Sequence, residues 1–171
     1  MVGIVKVNFR KLYSDVELPQ YATKGSAGFD IRVHHFKSIH GAGTDESIII
    51  GEEYLREKQF ILLQPFTRVL VGCGFAISMP EGYELQCRSR SGLALKEGLI
   101  VLNAPGTIDS DYRGEIGAII YNSSRFPIEI KRQDRIAQCV LHRHEAAIFQ
   151  VVEQLEETNR GAGGYGSTGK Q

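Results

Sequence analysis

Eight short apolar runs, at Phe60–Leu63, 69–77, Tyr83–Arg88, 99–102, 116–121, 128–130, 136–141 and 148–152, succeed one another over most of the chain. Turn signals such as Pro80-Glu81-Gly82, Asn122-Ser123-Ser124 and Gln133-Asp134 stand between them. Runs this short, regularly spaced by turn residues and with almost no helical periodicity, predict an all-β sandwich or barrel. Only Gly92 to Gly98 carries enough helical character for a turn or two. Upstream, Val5, Val7 and Phe9 alternate with Lys6, Asn8 and Arg10, which predicts an opening strand, and residues 29–33 predict another. Residues 34–60 read as polar and irregular, an inserted surface loop with a helical turn around 52–58. His34, His35 and His40 within it read as exposed loop residues rather than metal ligands, since no Cys or paired acid accompanies them. His142 and His144 share a strand face by period two and read as structural.

Charge and cysteine usage narrow the function. Lys+Arg and Asp+Glu are both 20, so no overall basic field is available to hold nucleic acid, and a polyanionic ligand has to be gripped locally. The three cysteines form no close pair and no metal-ligand spacing, and read as reduced core residues of a cytoplasmic protein. The N-terminus has neither the basic start nor the unbroken apolar run of a signal peptide, and no segment reads as a membrane span.

The stretch Gly106-Thr107-Ile108-Asp109-Ser110-Asp111-Tyr112-Arg113-Gly114-Glu115 concentrates the chemistry. Acids, an aromatic ring and an arginine lie between two glycines, with apolar runs on either side. The pattern reads as strand, tight connection, strand. At the other end of the chain, Arg160-Gly161-Ala162-Gly163-Gly164-Tyr165-Gly166-Ser167-Thr168-Gly169 cannot pack as a regular element. It reads as a flexible arm whose glycines let backbone N–H groups approach phosphates, with Arg160 for charge and Tyr165 for stacking.

Five stretches in fixed order resemble the trimeric deoxyuridine triphosphate nucleotidohydrolases, the dUTPases. They are Ala27-Gly28-Phe29-Asp30-Ile31; Arg90-Ser91-Gly92-Leu93-Ala94; Asn103 through Gly114; Asp134-Arg135-Ile136-Ala137-Gln138; and the glycine-rich arm. The resemblance implies a jelly-roll-like β-fold assembled as a homotrimer with shared active sites. It divides the chain into a body, 1–157, with an insertion at 34–60, and an active-site arm, 158–171. It also implies hydrolysis of dUTP to dUMP and pyrophosphate with Mg²⁺ on the triphosphate.

Residue by residue, the resemblance makes Asp109 the general base that holds the attacking water. Arg90, Ser91 and Gly92 form the phosphate cradle, and Gln138 completes the polar shell. Asn103 and Gly117 read uracil's edge, with Gly106, Thr107 and Ile108 among the substrate contacts. Tyr112 lies beneath the deoxyribose, leaving no room for a 2′-hydroxyl. Arg160, Tyr165, Gly166 and Ser167 close over the ligand, and Asp30 steadies Mg²⁺ through water. Two departures stand out: Ser89 where many bacterial relatives carry proline, implying a less stiff cradle, and Tyr165 for the commoner phenylalanine. The dCTP deaminase branch of the same fold requires a glutamate in the strand after the hairpin, and Ile119-Ile120-Tyr121-Asn122 contains no acid. A non-catalytic nucleotide sensor would have lost a catalytic group, yet Asp109, Gln138 and Arg160 are all present.

Overall fold

The computed structural model describes residues 3–41 and 50–164. Twelve strands occur among them. They are β1 (Asn8–Lys11), β2 (Phe29–Arg32), β3 (His35–His40), β4 (Phe60–Leu63), β5 (Arg68–Gly72), β6 (Phe75–Ser78), β7 (Tyr83–Arg88), β8 (Leu99–Val101), β9 (Gly106–Ile108), β10 (Gly117–Asn122), β11 (Ile128–Lys131) and β12 (Arg135–Arg143). Two four-stranded sheets, ordered β3-β5-β10-β8 and β2-β12-β7-β9, carry most of the core, and the pairs β1-β6 and β11-β4 flank them. All pairings are antiparallel. The molecule is thus an all-β sandwich, as the short, turn-spaced runs predict, of the jelly-roll-like kind that the resemblance implies.

The reason is legible strand by strand. In β5 and β10, Val69, Val71, Ala118 and Ile120 point one way and are buried, while the residues between them are only half-buried. Leu85 and Cys87 of β7 and Cys139 of β12 bury the facing side of the second sheet into the same core cluster. Removal of this apolar surface from water is the main stabilising contribution. Two short helices complete the described residues: α1 (Glu52–Leu55), whose Leu55 reaches the core, and α2 (Ser91–Glu97).

Several expectations need correction. The run at 69–77 is two strands, because Gly74 adopts φ +77°, a conformation that side chains resist, and a Cβ there would collide with Val16 and His34. Residues 35–40 are not loop: β3 pairs with β5 from His35↔Gly72 to His40↔Arg68, and Phe36 is completely buried. His34 and His35 are buried too, not exposed. Their Nδ1 atoms lie 3.1 Å apart, so one ring donates and the other accepts. His34 Nε2 meets Asp15 at 3.1 Å, His35 Nε2 lies 3.6 Å from Glu115, and Tyr13 stacks on His34. The polar rings are tolerated inside because their nitrogens find partners. The opening strand sits slightly later than the alternation suggests, at β1, with Phe9 stacked on Phe75. No strand forms at 148–152, where Ile148, Phe149 and Val151 stand almost fully exposed. Cys73, Cys87 and Cys139 are free and buried, as expected. No helix among the described residues is long and apolar enough to cross a membrane.

Burial holds the His35 imidazole below the ordinary histidine value of 6.5, an effect that the nearby Glu115 carboxylate partly opposes and Lys37 and His34 reinforce. The folded chain therefore binds fewer protons at this ring than the unfolded chain does. Its contribution to stability is intact above the unfolded value and declines as pH falls below it. Thermal stability is accordingly expected to drop on acidification from about pH 7 toward about pH 5, and His35→Gln to flatten that dependence. A melting temperature that rises over the same interval would contradict this account of His35.

Candidate active site

The central hairpin is more elaborate than strand, turn, strand. Its outer legs, β8 and β10, pair with each other from Ile120↔Val101 to Asn122↔Leu99. Between them the chain crosses to the opposite sheet, where β9 pairs with β7 from Leu85↔Ile108 to Cys87↔Gly106, and then returns. The return is a tight turn in which the Tyr112 N–H donates to the Asp109 carbonyl at 3.2 Å. Arg113 Nη1 donates to the Ser110 and Tyr112 carbonyls at 2.6 and 3.0 Å.

This detour opens a cavity of about 280 Å³ between the sheets. Asn103, Gly106, Thr107, Ile108, Asp109, Tyr112 and Gly117 all line it, so the seven hairpin residues singled out in the sequence surround one space. Its size suits a nucleoside rather than a whole triphosphate. Gly117 has to lack a side chain, since a Cβ would come within 2.8 Å of the Val71 carbonyl oxygen. Tyr112 is about half exposed, and its hydroxyl donates to the Glu115 carbonyl at 3.2 Å.

A second cluster forms where β2, β12 and β7 run side by side. Gln138 lies in register between Asp30 and Arg88. Its Nε2 donates to the Ser89 carbonyl at 2.9 Å, and the Ser89 hydroxyl accepts the Val101 N–H at 2.9 Å. Serine thus ties the cradle to β8, which offsets the loss of the stiffness that a proline would supply. Arg90 Nε lies 3.2 Å from Asp30 Oδ1, while its Nη1 donates to the Arg135 carbonyl at 2.7 Å. Arg135 Nη1 sits 3.3 Å from the other Asp30 oxygen. Directly after Arg90, Ser91 and Gly92 form the exposed first turn of α2, which has no side-chain cap. Its leading N–H groups lack intrahelical acceptors and are available to an anion.

The hairpin cavity and the cradle have separate linings: neither Arg90, Ser91, Gly92 nor Gln138 contributes to the former. Nor does Arg160, which is exposed and donates through Nε to the Gly163 carbonyl at 2.8 Å. Tyr165, Gly166 and Ser167 lie outside the described residues. Three charged residues near these sites escaped sequence reasoning. Arg135 stands inside the fourth of the five stretches and could have been nominated from it. Lys37 and Glu115 line the hairpin cavity; Glu115 ends the acid-rich stretch but received no role from it, and nothing in the local pattern singled out Lys37. Among the described residues no group of three or more His, Cys, Asp or Glu side chains could cage a metal. In the cradle, Asp30 offers a carboxylate whose two oxygens face Arg90 and Arg135.

A β-sandwich with an acid-tipped hairpin cavity and a separate guanidinium cradle defines a protein suited to a compact polar ligand with a polyanionic tail. Comparison with known proteins sharpens that class. The dUTPase family model matches residues 55–169. A deoxyuridine 5'-triphosphate nucleotidohydrolase of Nautilia profundicola is 42% identical over 97% of this chain and 100% of its own. That of Wolinella succinogenes is 43% identical over 97% and 95%. A Staphylococcus bacteriophage 80alpha dUTPase mutant in complex with dUpNHpp superposes with a TM-score of 0.73 at 23% identity, covering 96% of this chain and 98% of that one. A mutant dUTPase from phage phi11 of S. aureus, described with a structural Mg(II) ion, gives 0.66 at 21% identity over 89% and 99%. The chain belongs to the dUTPase family.

Proposed function

We propose that this chain hydrolyses dUTP to dUMP and pyrophosphate, limiting uracil incorporation into DNA and supplying dUMP for thymidylate synthesis. The observation that carries the proposal is the gathering of Asn103, Asp109, Tyr112 and Gly117 around a single nucleoside-sized cavity. Uracil's edge reads acceptor, donor, acceptor, which the Asn103 amide and the strand backbone around Gly106, Thr107, Ile108 and Gly117 can match. Cytosine would leave part of that pattern unpaired, and hydrogen-bonded sites reject such mismatches by about 10⁴–10⁵. Thymine's methyl group is excluded by the close approach of Gly117 to β5.

The Asp109 carboxylate takes a proton from water as its oxygen bonds to the α-phosphorus. The bond from that phosphorus to the bridging oxygen breaks, and pyrophosphate leaves with the bonding electrons. General-base assistance supplies about 10²–10⁴ in rate, so charge stabilisation and positioning must supply the rest. Arg90, held by Asp30 and the Arg135 carbonyl, presents its guanidinium with the Ser91 hydroxyl and Gly92 N–H as the cradle, and Gln138 completes the shell. Mg²⁺, when bound on the triphosphate with Asp30 reaching it through water, supplies charge neutralisation on the phosphate oxygens.

A homotrimer accounts for two features of the single chain. Ile148, Phe149, Val151 and Leu155 are 98, 92, 99 and 87% exposed, an apolar strip that a neighbouring subunit would cover. The hairpin cavity also lacks the phosphate cradle, which another subunit can bring. In this assembly the body, 1–157, carries the hairpin and the cradle. The arm, 158–171, closes with Arg160 on the γ-phosphate and Tyr165, Gly166 and Ser167 over the nucleotide. The connection between β3 and β4 is the inserted part of 34–60. The buried free thiols suit a reducing cytoplasm.

The test is a pyrophosphate-release assay over dUTP, dTTP, dCTP and UTP with and without Mg²⁺. Strong preference for dUTP is expected, and equal use of dTTP or dCTP would overturn the assignment. Tyr112→Ala is expected to relax discrimination against UTP by at least about tenfold. An unchanged ratio of kcat/KM for the two nucleotides would show that the sugar is read elsewhere.

A further inference from the structure

We propose that Lys37 and Glu115 form a clamp that positions Tyr112 and so sets sugar discrimination, an inference that rests on the dUTP-hydrolase reading. Glu115 closes the hairpin turn, and its side chain is only 12% exposed. Oε1 accepts the Gly74 N–H at 2.7 Å, while Oε2 receives Lys37 Nζ at 2.6 Å, with His35 Nε2 at 3.6 Å. One carboxylate thus ties the hairpin to the β5–β6 turn and to β3. The next residue is fixed as well: the Ile116 N–H donates to the Phe75 carbonyl at 2.8 Å, and its carbonyl accepts the Cys73 N–H at 2.9 Å.

Tyr112 is oriented by this anchored backbone. Its hydroxyl donates to the Glu115 main-chain carbonyl, and a Cβ on Gly114 would collide with the phenol ring. The ring therefore follows wherever residues 114–116 are held, and those residues are held by the carboxylate together with the Ile116 backbone bonds. Lys37 and Glu115 both line the cavity beside Tyr112, so the clamp forms part of the wall that it positions. Three-quarters of the Lys37 side chain is shielded from solvent, which strengthens the pairing relative to an exposed ion pair. The two are positioning residues, acting through Tyr112 and the hairpin backbone.

The experiment compares the full-length chain with Lys37→Met, Glu115→Gln, the double variant and Lys37→Arg. Two quantities are read: kcat/KM for dUTP against UTP, and hydrogen exchange at the Tyr112 amide, which is bonded to the Asp109 carbonyl. Each single loss of charge is expected to shift the dUTP-to-UTP ratio about tenfold toward UTP, since a small misplacement near a reacting group is costly. The double variant should be no worse than either single, because one pair is being broken. Lys37→Arg should keep the parent ratio. Exchange at the Tyr112 amide should quicken in Lys37→Met while amides of β7 and β12 stay protected. An unchanged ratio in folded variants, or unchanged Tyr112 exchange, overturns the clamp. If the parent chain hydrolyses neither nucleotide, the substrate reading fails, and exchange at Tyr112 still decides whether the clamp exists.

Discussion

Asp109→Asn is expected to fold, assemble and bind nucleotide like the parent chain while losing about 10²–10⁴ in kcat. The substitution keeps the shape of the side chain and removes its capacity to take a proton. Asp109 is exposed at the cavity rim, one residue after β9 ends, so the fold places no structural burden on its charge. Its backbone carbonyl, which accepts the Tyr112 N–H, is untouched by the change. KM should therefore move far less than kcat. Retention of most of the turnover in a folded variant would remove Asp109 from the reaction.

Deletion of residues 159–171 is expected to leave a stable assembly that binds dUMP and turns dUTP over poorly. Among the described residues of the arm, 158–164, none joins the core, and Arg160 bonds to the nearby Gly163 carbonyl. Closure over the nucleotide would exclude bulk water and bring Arg160 to the γ-phosphate. Shared sites make a sharper consequence. When the truncated chain is refolded with full-length Asp109→Asn, each parent assembly is defective at every site. Random mixed trimers should then recover about a quarter of parent activity, from sites that combine an intact hairpin and an intact arm of different chains. Mixed trimers as inactive as their parents would mean that the arm serves its own subunit or that the assembly is not cyclic.

Much of the fold could be read from short apolar runs set between turn residues, and the exceptions have physical causes. Phe60–Leu63 and Tyr83–Arg88 match the strands residue for residue, because each has one face in the core and one in water. β3 was hidden since it opens on His35 directly after the buried His34, polar rings made tolerable by Asp15, Glu115 and each other. Such partners are set by tertiary pairing and leave no local signal. At 148–152 the apolar run is real, but no strand among the described residues pairs with it.

The site divides in the same way. The hairpin residues were legible because seven of them fall within fifteen positions and one detour of the chain gathers them. Lys37 reaches the same cavity only through the pairing of β3 with β5, and Arg135 reaches Asp30 only through that of β12 with β2. Neither register can be deduced from composition. The segment 34–60, read from the sequence as an insertion, therefore contains a core strand. It cannot be exchanged for a short turn without removing Phe36 from the core and Lys37 from the cavity.

The most direct measurement is hydrolysis of dUTP in water enriched in ¹⁸O, with both products analysed by mass. Attack of an Asp109-held water on the α-phosphorus predicts one labelled oxygen in dUMP and none in pyrophosphate. Label in pyrophosphate would place the attack on the β-phosphorus, and an absence of both products would contradict the proposed reaction altogether.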